Sequence, residues 1–499
     1  MTALLQFPRK SNMLKFVKSQ VQGLSPCRGQ GRAALVGFGA KPQEKGVWGF
    51  APRQGGRMMT ARQAAFEALM RVEQDQAYSN LTLDAVLKKQ NMSGRDKSFA
   101  AGLFYGVLEN KLLLNYNIAV RAERAIGEID TKILVLLRMG LFQIFLSDSV
   151  PDAAAVNETV SLCRENGCKE AAGFVNGILR SAARDQKLRF PDPKKGKNKY
   201  YSVRYSCPEP IVKLWRQSYG DENTVGLLQS LSGRPPLCVR VNTLKTTAQE
   251  LIQILHESGV QAETSDLLGD CLLLKGTGAI EQLSAFQKGL FHVQDSASQL
   301  CCQVLSPKSG DKVLDICSAP GGKTFTLAER MKNIGSITAC DLYEARLRLV
   351  KNGGERLGIH IIRTACGDGC ELSFEEEYDR VLCDVPCSGL GILRRKPELR
   401  YKDDLGLSSL PEIQYRILCN ASKYVKIGGM LLYSTCTLNP AENHQNAERF
   451  LQEHKDFCAA PLKLPEGIRH GIAEEVNELT LFPHITRTDG FFISLFQRK

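Results

Sequence analysis

No apolar run in the 499-residue sequence is long enough to cross a membrane. A spanning helix needs about 18 or more apolar residues in succession, and Arg138 interrupts the best candidate, ILVLLRMGLFQIF. A secretory signal is also missing, and the 17 cysteines are odd in number and scattered along a long chain. These absences argue against a disulfide-stapled secreted scaffold and predict a reducing, cytoplasmic setting without a membrane partner. Tight C-x-x-C knuckles are lacking too. Cys366/Cys370 and Cys383/Cys387 are spaced C-x-x-x-C with no histidine beside them, so no metal is expected. Acidic residues are scarce at the start: residues 1–57 hold ten Lys or Arg and one acid, Glu44. That stretch reads as a disordered or non-native basic leader, with an Arg-rich, acid-poor transit peptide as the alternative.

What is present describes an ordinary globular composition, 43% hydrophobic and 24% charged, with length for roughly three domains of ~150 residues. The net charge of +12 favours an anionic partner, nucleic acid first. From residue 60 to 186 apolar residues recur at i, i+3, i+4 and i+7 through AFEALMRV, LTLDAVLKK, FAAGLFYGVLENKLLLNYNI and KILVLLRMGLFQIFL, which predicts an all-α domain. Residues 187–201, KLRFPDPKKGKNKYY, read as a basic linker suited to phosphate contact. Residues 202–290 mix short helical and strand-like pieces and suggest a small α/β module. Over 291–499 the apolar runs KVLDIC, SITACD, HIIRTA, RVLCDV, MLLYST and FFISLF are mostly separated by helical stretches, predicting a mostly parallel, doubly wound sheet.

The first of those runs opens VLDICSAPGGKT, residues 313–324. Gly322, Lys323 and Thr324 match the end of a phosphate-binding loop, but Cys317 stands where its first glycine belongs and Pro320 stiffens the middle. The next strand ends in Asp341, 18 residues after Lys323, where adenosine sites place an acid on the ribose hydroxyls. Asp368, in ACGDGC, sits after the third strand and can accept from an adenine amino group. An acid at each strand end fits S-adenosylmethionine better than a nucleoside triphosphate.

Two further strand ends carry cysteines, Cys387 in DVPCSG and Cys436 in STCTLNPAEN. Each alone is most simply a small buried thiol. As a pair beside a methyl-donor loop they suit methylation at C5 of a pyrimidine, where a thiolate adds to C6 and makes C5 nucleophilic. Asp384, at the start of DVPC, is the candidate to bond or protonate N3 as charge builds in the ring. Arg394, Arg395 and Lys396 follow closely and are candidates for holding phosphates while the base enters.

CSAPGGKT, ACDLYEAR, DVPCSGLGILRRKPELRY, STCTLNPAEN and LFPHITRTDGFFISLF together resemble the RNA (cytosine-5)-methyltransferase family, with RVNTLK and VQDSASQL as upstream signatures. RDKSFAAGLFYGVLEN, VNETVSL and FVNGILR resemble a NusB-like RNA-binding domain. The combination covers about residues 60–499 and is similar to the bacterial small-subunit ribosomal RNA (cytosine-5)-methyltransferase B subfamily. The resemblance implies a Rossmann-like α/β S-adenosylmethionine-dependent methyltransferase domain preceded by a small α/β module and an all-α NusB-like domain. It implies Cys436 as nucleophile and Cys387 as the thiol assisting release, an order that the residues alone leave open. It places Cys317, Ser318, Ala319, Pro320, Gly321, Gly322, Lys323, Asp341, Asp368 and Asp384 at the cofactor, with Lys323 and Asp384 also catalytic. The expected partner is 16S ribosomal RNA, free or partly assembled, met by a monomer. Transfer RNA as substrate, a non-catalytic RNA-binding factor, a P-loop NTPase and a DNA methyltransferase are the rival readings. The last lacks its PCQ and ENV signatures here. Val385 stands where the family commonly has Ala, a mild departure.

Overall fold

The computed structural model describes residues 59–75, 79–88, 92–233, 235–402, 405–469 and 476–499. The basic leader, 1–57, lies outside the described residues.

The first part is helical: Ala61–Asp75, Ser79–Lys88, Gly94–Glu109, Lys111–Ala122, Thr131–Leu146, Asp152–Glu165 and Ala172–Asp185. Their apolar stripes, including Phe66, Leu69, Phe104, Leu137, Leu141 and Leu179, close on a common core. The ends are set locally. Ser93 Oγ accepts from Asp96 N at 3.1 Å, and Asp130 Oδ1 from Lys132 N at 2.9 Å, each satisfying an orphan N–H of a first turn. Arg138, the charge inside the most apolar helix, is 3% exposed; it is held by Glu73 Oε1 at 2.9 Å and Asn115 Oδ1 at 2.7 Å. No helix among the described residues is long and apolar enough to cross a membrane.

The basic stretch after this domain becomes helical at Lys197–Tyr205, so it is an arm only in its first part. A longer helix follows, Glu209–Ser230, interrupted at Gly220 by a left-handed φ of 78°. Strands β1 (Leu237–Val241), β2 (Gln261–Thr264), β3 (Cys271–Lys275) and β4 (Phe291–Val293) then form an antiparallel sheet in the order β2-β3-β1-β4.

The large sheet comprises β5 (Lys312–Asp315), β6 (Ser336–Asp341), β7 (Ile362–Cys366), β8 (Tyr378–Asp384), β9 (Val425–Thr435), β10 (Phe457–Ala459), β11 (Glu478–Leu481) and β12 (Phe491–Arg498). Its order is β10-β12-β9-β8-β5-β6-β7, with β11 pairing on β12. Strands β5 to β9 are mutually parallel, and β12 is antiparallel to β9, β10 and β11. The sequence pattern predicts the parallel part; the antiparallel edge arises from β12, which runs against β9, β10 and β11. From β5 the chain winds one way through β6 and β7, then returns to add β8 and β9 on the other side. The reversal falls between β5 and β8, and the crevice beyond their carboxyl ends is where such sheets hold ligands.

Candidate active site

The loop after β5 turns into the helix Gly322–Arg330. Ser318 pins it to the neighbouring strand: its N and its Oγ both donate to Cys340 O, at 2.7 and 2.9 Å. Gly321 adopts a φ of 109°, and a Cβ there would fall 2.4 Å from Phe325 Cζ, so the turn requires glycine. Lys323 and Thr324, which in a phosphate loop would face phosphate and magnesium, point to carboxylates instead. Thr324 Oγ1 donates to Asp315 Oδ2 at 2.7 Å, and Lys323 Nζ lies 2.6 Å from Asp384 Oδ2. Two carboxylates in these places would repel a triphosphate.

Beneath the loop opens a cavity of about 200 Å³. Cys317, Ser318, Ala319, Pro320, Gly322, Lys323 and Asp384 line it, as the sequence suggested; Gly321 does not. Asp341 ends β6 beside the loop but outside the cavity wall. It pairs with Arg346 at 3.1 Å, and Arg346 also donates to Ala319 O at 2.8 Å, bracing the loop. Burial pushes the Asp341 carboxyl above its ordinary range, with Arg346 opposing. Asp368 is an exposed turn residue that accepts from Cys370 N at 2.9 Å, away from the cavity. Sequence reasoning missed Val293, Gln294, Asp295, Ser298 and Asp315, which complete the wall. The acid ending VLD was the available signal for Asp315. Gln294 Nε2 and Asp315 Oδ1 are buried with no hydrogen-bond partner among the described residues. A donor and an acceptor left over in one cavity suit a zwitterionic group such as the amino-acid end of S-adenosylmethionine.

Asp384 sits at the reversal point, on the end of β8. Its Oδ1 accepts from Ser434 Oγ at 2.8 Å and its Oδ2 from Lys323, whose Nζ also reaches Ser298 Oγ at 3.3 Å. Burial opposes the charge on Lys323, but the Asp384 carboxylate outweighs it and the ammonium is held above its ordinary range.

Three residues beyond Asp384 the chain reaches Cys387, whose Sγ lies 3.2 Å from Cys436 Sγ. Glu442, fully buried, clamps the two loops together: its carboxylate accepts from Ser388 N at 2.8 Å, from Ser388 Oγ, from Gln414 Nε2 at 2.8 Å and from Asn439 Nδ2 at 2.9 Å. Thr437 adds a 2.7 Å contact to Ser388 Oγ. Gly391 N donates to Cys436 O at 3.0 Å, and a Cβ on Gly391 would stand 1.9 Å from Gly490 O. The hydrogen bond with Cys436, burial and the nearby Cys436 and Glu442 side chains all push the Cys387 thiol well up.

The basic run 394–396 is more internal than the sequence suggests. Arg395 Nε donates to both oxygens of Asp489 at 2.7 Å, and its Nη2 to Asp295 Oδ2 at 2.8 Å. Two carboxylates in this pocket take up the guanidinium, which corrects the expectation that Arg395 faces RNA phosphate. Arg394 Nε donates to Gly233 O at 3.0 Å, and Lys396 is half-buried beside the thiol pair. The same segment joins the domains. Arg400 donates to Glu109 O, Ser206 O, Leu231 O and Leu393 O, and Glu398 accepts from Ser79 Oγ at 2.7 Å.

Family models agree with this division of the chain. One described as 16S rRNA methyltransferase RsmB/F matches residues 302–497, the NusB family model matches 59–184, and an RsmF/B-like ferredoxin-like domain matches 207–281. The chain is 38% identical to a probable ribosomal RNA small subunit methyltransferase B of Bacillus subtilis, over 88% of this chain and 99% of that protein. It is 36% identical to the probable counterpart of Synechocystis, again over 88% and 99%. The crystal structure of PH0851 superposes with a TM-score of 0.73 at 27% identity, covering 89% of this chain and all of that one. With its NusB domain, ferredoxin-like module and Rossmann-like catalytic sheet, the chain belongs to the RsmB/F family of S-adenosylmethionine-dependent 16S rRNA methyltransferases.

Proposed function

We propose that this protein methylates C5 of a cytosine in 16S ribosomal RNA through a covalent bond between Cys436 and C6. The observation that carries the reading is the Cys387–Cys436 pair at 3.2 Å, placed at strand ends three residues past the cavity's Asp384. C5 of cytosine is a poor nucleophile. As the Cys436 Sγ–C6 bond forms, the ring electrons move towards N3 and C5 becomes enamine-like. N3 takes a proton from solvent as that negative charge collects, Asp384 accepts the hydrogen bond from the resulting N3–H, and Lys323 behind it supplies the balancing positive charge. S-adenosylmethionine, when bound, supplies an electrophilic methyl group. Gln294, Ser298, Asp315 and the 317–323 loop hold it against the Asp384 side of the site. Once C5 carries the methyl, water takes the C5 proton, the C5–H electrons re-form the C5–C6 double bond, and Cys436 departs as thiolate while N3 gives its proton back to solvent, with Cys387 assisting release.

The target base must be unpaired or extruded to reach the sulfur. The helical domain and the basic stretch 187–201, with Lys194, Lys195 and Lys199 exposed, grip the RNA by shape and charge. The protein acts as a cytoplasmic monomer on free or partly assembled RNA. The test is transfer of labelled methyl from S-adenosylmethionine to 16S RNA, followed by bisulfite sequencing. One protected cytosine, lost with Cys436→Ala, is expected. Methyl incorporation at no cytosine, or equal incorporation after both Cys436→Ala and Cys387→Ala are combined, overturns the proposal.

A further inference from the structure

The two sulfurs can in principle exchange roles, because either could donate the hydrogen bond between them. Their surroundings are not equivalent. On the Cys387 side lies the buried Glu442 carboxylate, bonded to both the N and the Oγ of the next residue, Ser388. The half-buried cation of the loop that follows is Lys396; burial pulls its ammonium down, and Cys436, then Glu398, then Cys387 favour its charge. The carboxylate fixed on the residue after Cys387 polarises the pair in one direction.

We infer that the thiols form an ordered pair in which Cys387 remains S–H and donates to the Cys436 sulfur, with Glu442 as the positioning residue that fixes the order. This rests on the reading of Cys436 as nucleophile and goes beyond it, since it gives Cys387 work before the methyl is transferred. Cys436 loses its proton to solvent, Cys387 keeps its own, and the S–H donor stabilises the sulfur that attacks C6. Glu442 serves twice. Its four accepted hydrogen bonds hold the two loops at contact distance, and its charge disfavours a second anion at Cys387. The groups facing the pair from the packed elements are Glu442, Lys396 and the phenol of Tyr433, which donates to Glu442 O.

Alkylation by iodoacetamide, mapped by peptide mass spectrometry on the full chain without RNA or cofactor, reads this order directly. In the wild type, Cys436 should react at least about tenfold faster than Cys387 near neutral pH. Cys387→Ala should slow Cys436 alkylation by about tenfold near neutrality. Cys387→Ser, which keeps a donor at the same place, should restore the rate to within about threefold. Glu442→Gln should raise Cys387 alkylation relative to Cys436. Preferential reaction at Cys387, or coincident Cys436 rates in the Ala and Ser variants, overturns the inference. Should Glu442→Gln melt at low temperature, the Ala–Ser comparison still decides. Loss of the alkylation order with methyl transfer intact sinks this inference alone; intact order without methyl transfer sinks the proposed function.

Discussion

Lys323 and Asp384, 61 residues apart in sequence, meet at 2.6 Å across the point where the strand order reverses. The contact joins the loop that lines the cavity to the loop that carries Cys387. Its removal should therefore damage chemistry more than cofactor retention. Lys323→Met is expected to lower kcat by about 100-fold or more, with cofactor Kd, measured by calorimetry, weakened by less than about tenfold. Ser434→Ala, which strips one hydrogen bond from Asp384, should lower kcat by about tenfold.

The two cysteines should separate cleanly in denaturing gels. Cys436→Ala abolishes turnover while cofactor binding persists. Cys387→Ala accumulates a covalent enzyme–RNA band, because release is impaired after the bond to C6 has formed. The band appearing with Cys436→Ala instead would reverse the assignment.

Gly391 leaves no space for a side chain: a Cβ on it would meet Gly490 O at 1.9 Å and Cys436 O at 2.8 Å. Gly391→Ala should shift the Cys436 loop and destabilise the fold by about 1–3 kcal/mol. Methyl transfer should fall further than the loss of Tm accounts for, and comparing the two below the melting range makes the check.

Burial pushes the Asp315 carboxyl up to about 7, with Asp384 adding to it and the Thr324 hydrogen bond opposing. The folded state therefore binds this proton more tightly than the unfolded chain, whose aspartates titrate near about 3.9. Between those values the folded form holds more protons, so stability from this residue is present at low pH and falls as pH rises towards about 7. The span corresponds to at most about 4 kcal/mol. Asp315→Asn should flatten that slope in urea unfolding of the cofactor-free protein between about pH 5 and about pH 8. An unchanged slope would show that Asp315 titrates normally.

Arg400 donates to four carbonyls contributed by the helical domain, the following connection and the catalytic loop. Arg400→Met removes this donor from Glu109 O, Leu231 O and Leu393 O, while Ser206 O keeps the Tyr401 hydroxyl at 2.9 Å, a loss of about 3 kcal/mol. Hydrogen exchange should rise first around Glu109 and Ser79 rather than in the central sheet.

Much of the site was legible because it is local. The turn SAPGG, the strand-end acids and the PC and TC pairs each lie within a few residues, and a strand–loop–helix pattern is enough to place them. What escaped depends on distant partners. Arg395 looks like a phosphate ligand until Asp295, 100 residues upstream, and Asp489, 94 residues downstream, are seen around it. Glu442 passes for a helix-start acid in NPAEN, yet its carboxylate is fully buried among donors from three separate segments. Asp368 shows the converse: a residue in a plausible place whose side chain closes its own turn. Charges at surfaces follow composition, whereas a buried charge is defined by whatever neutralises it.

The segment from Arg394 to Tyr401 borders the thiols at one end and fastens the helical domain at the other. Evolution therefore has little freedom to trade the NusB domain of this molecule as a module. A chimaera carrying another protein's helices on this catalytic sheet would inherit mismatched fasteners, and its reactive loops would drift with them.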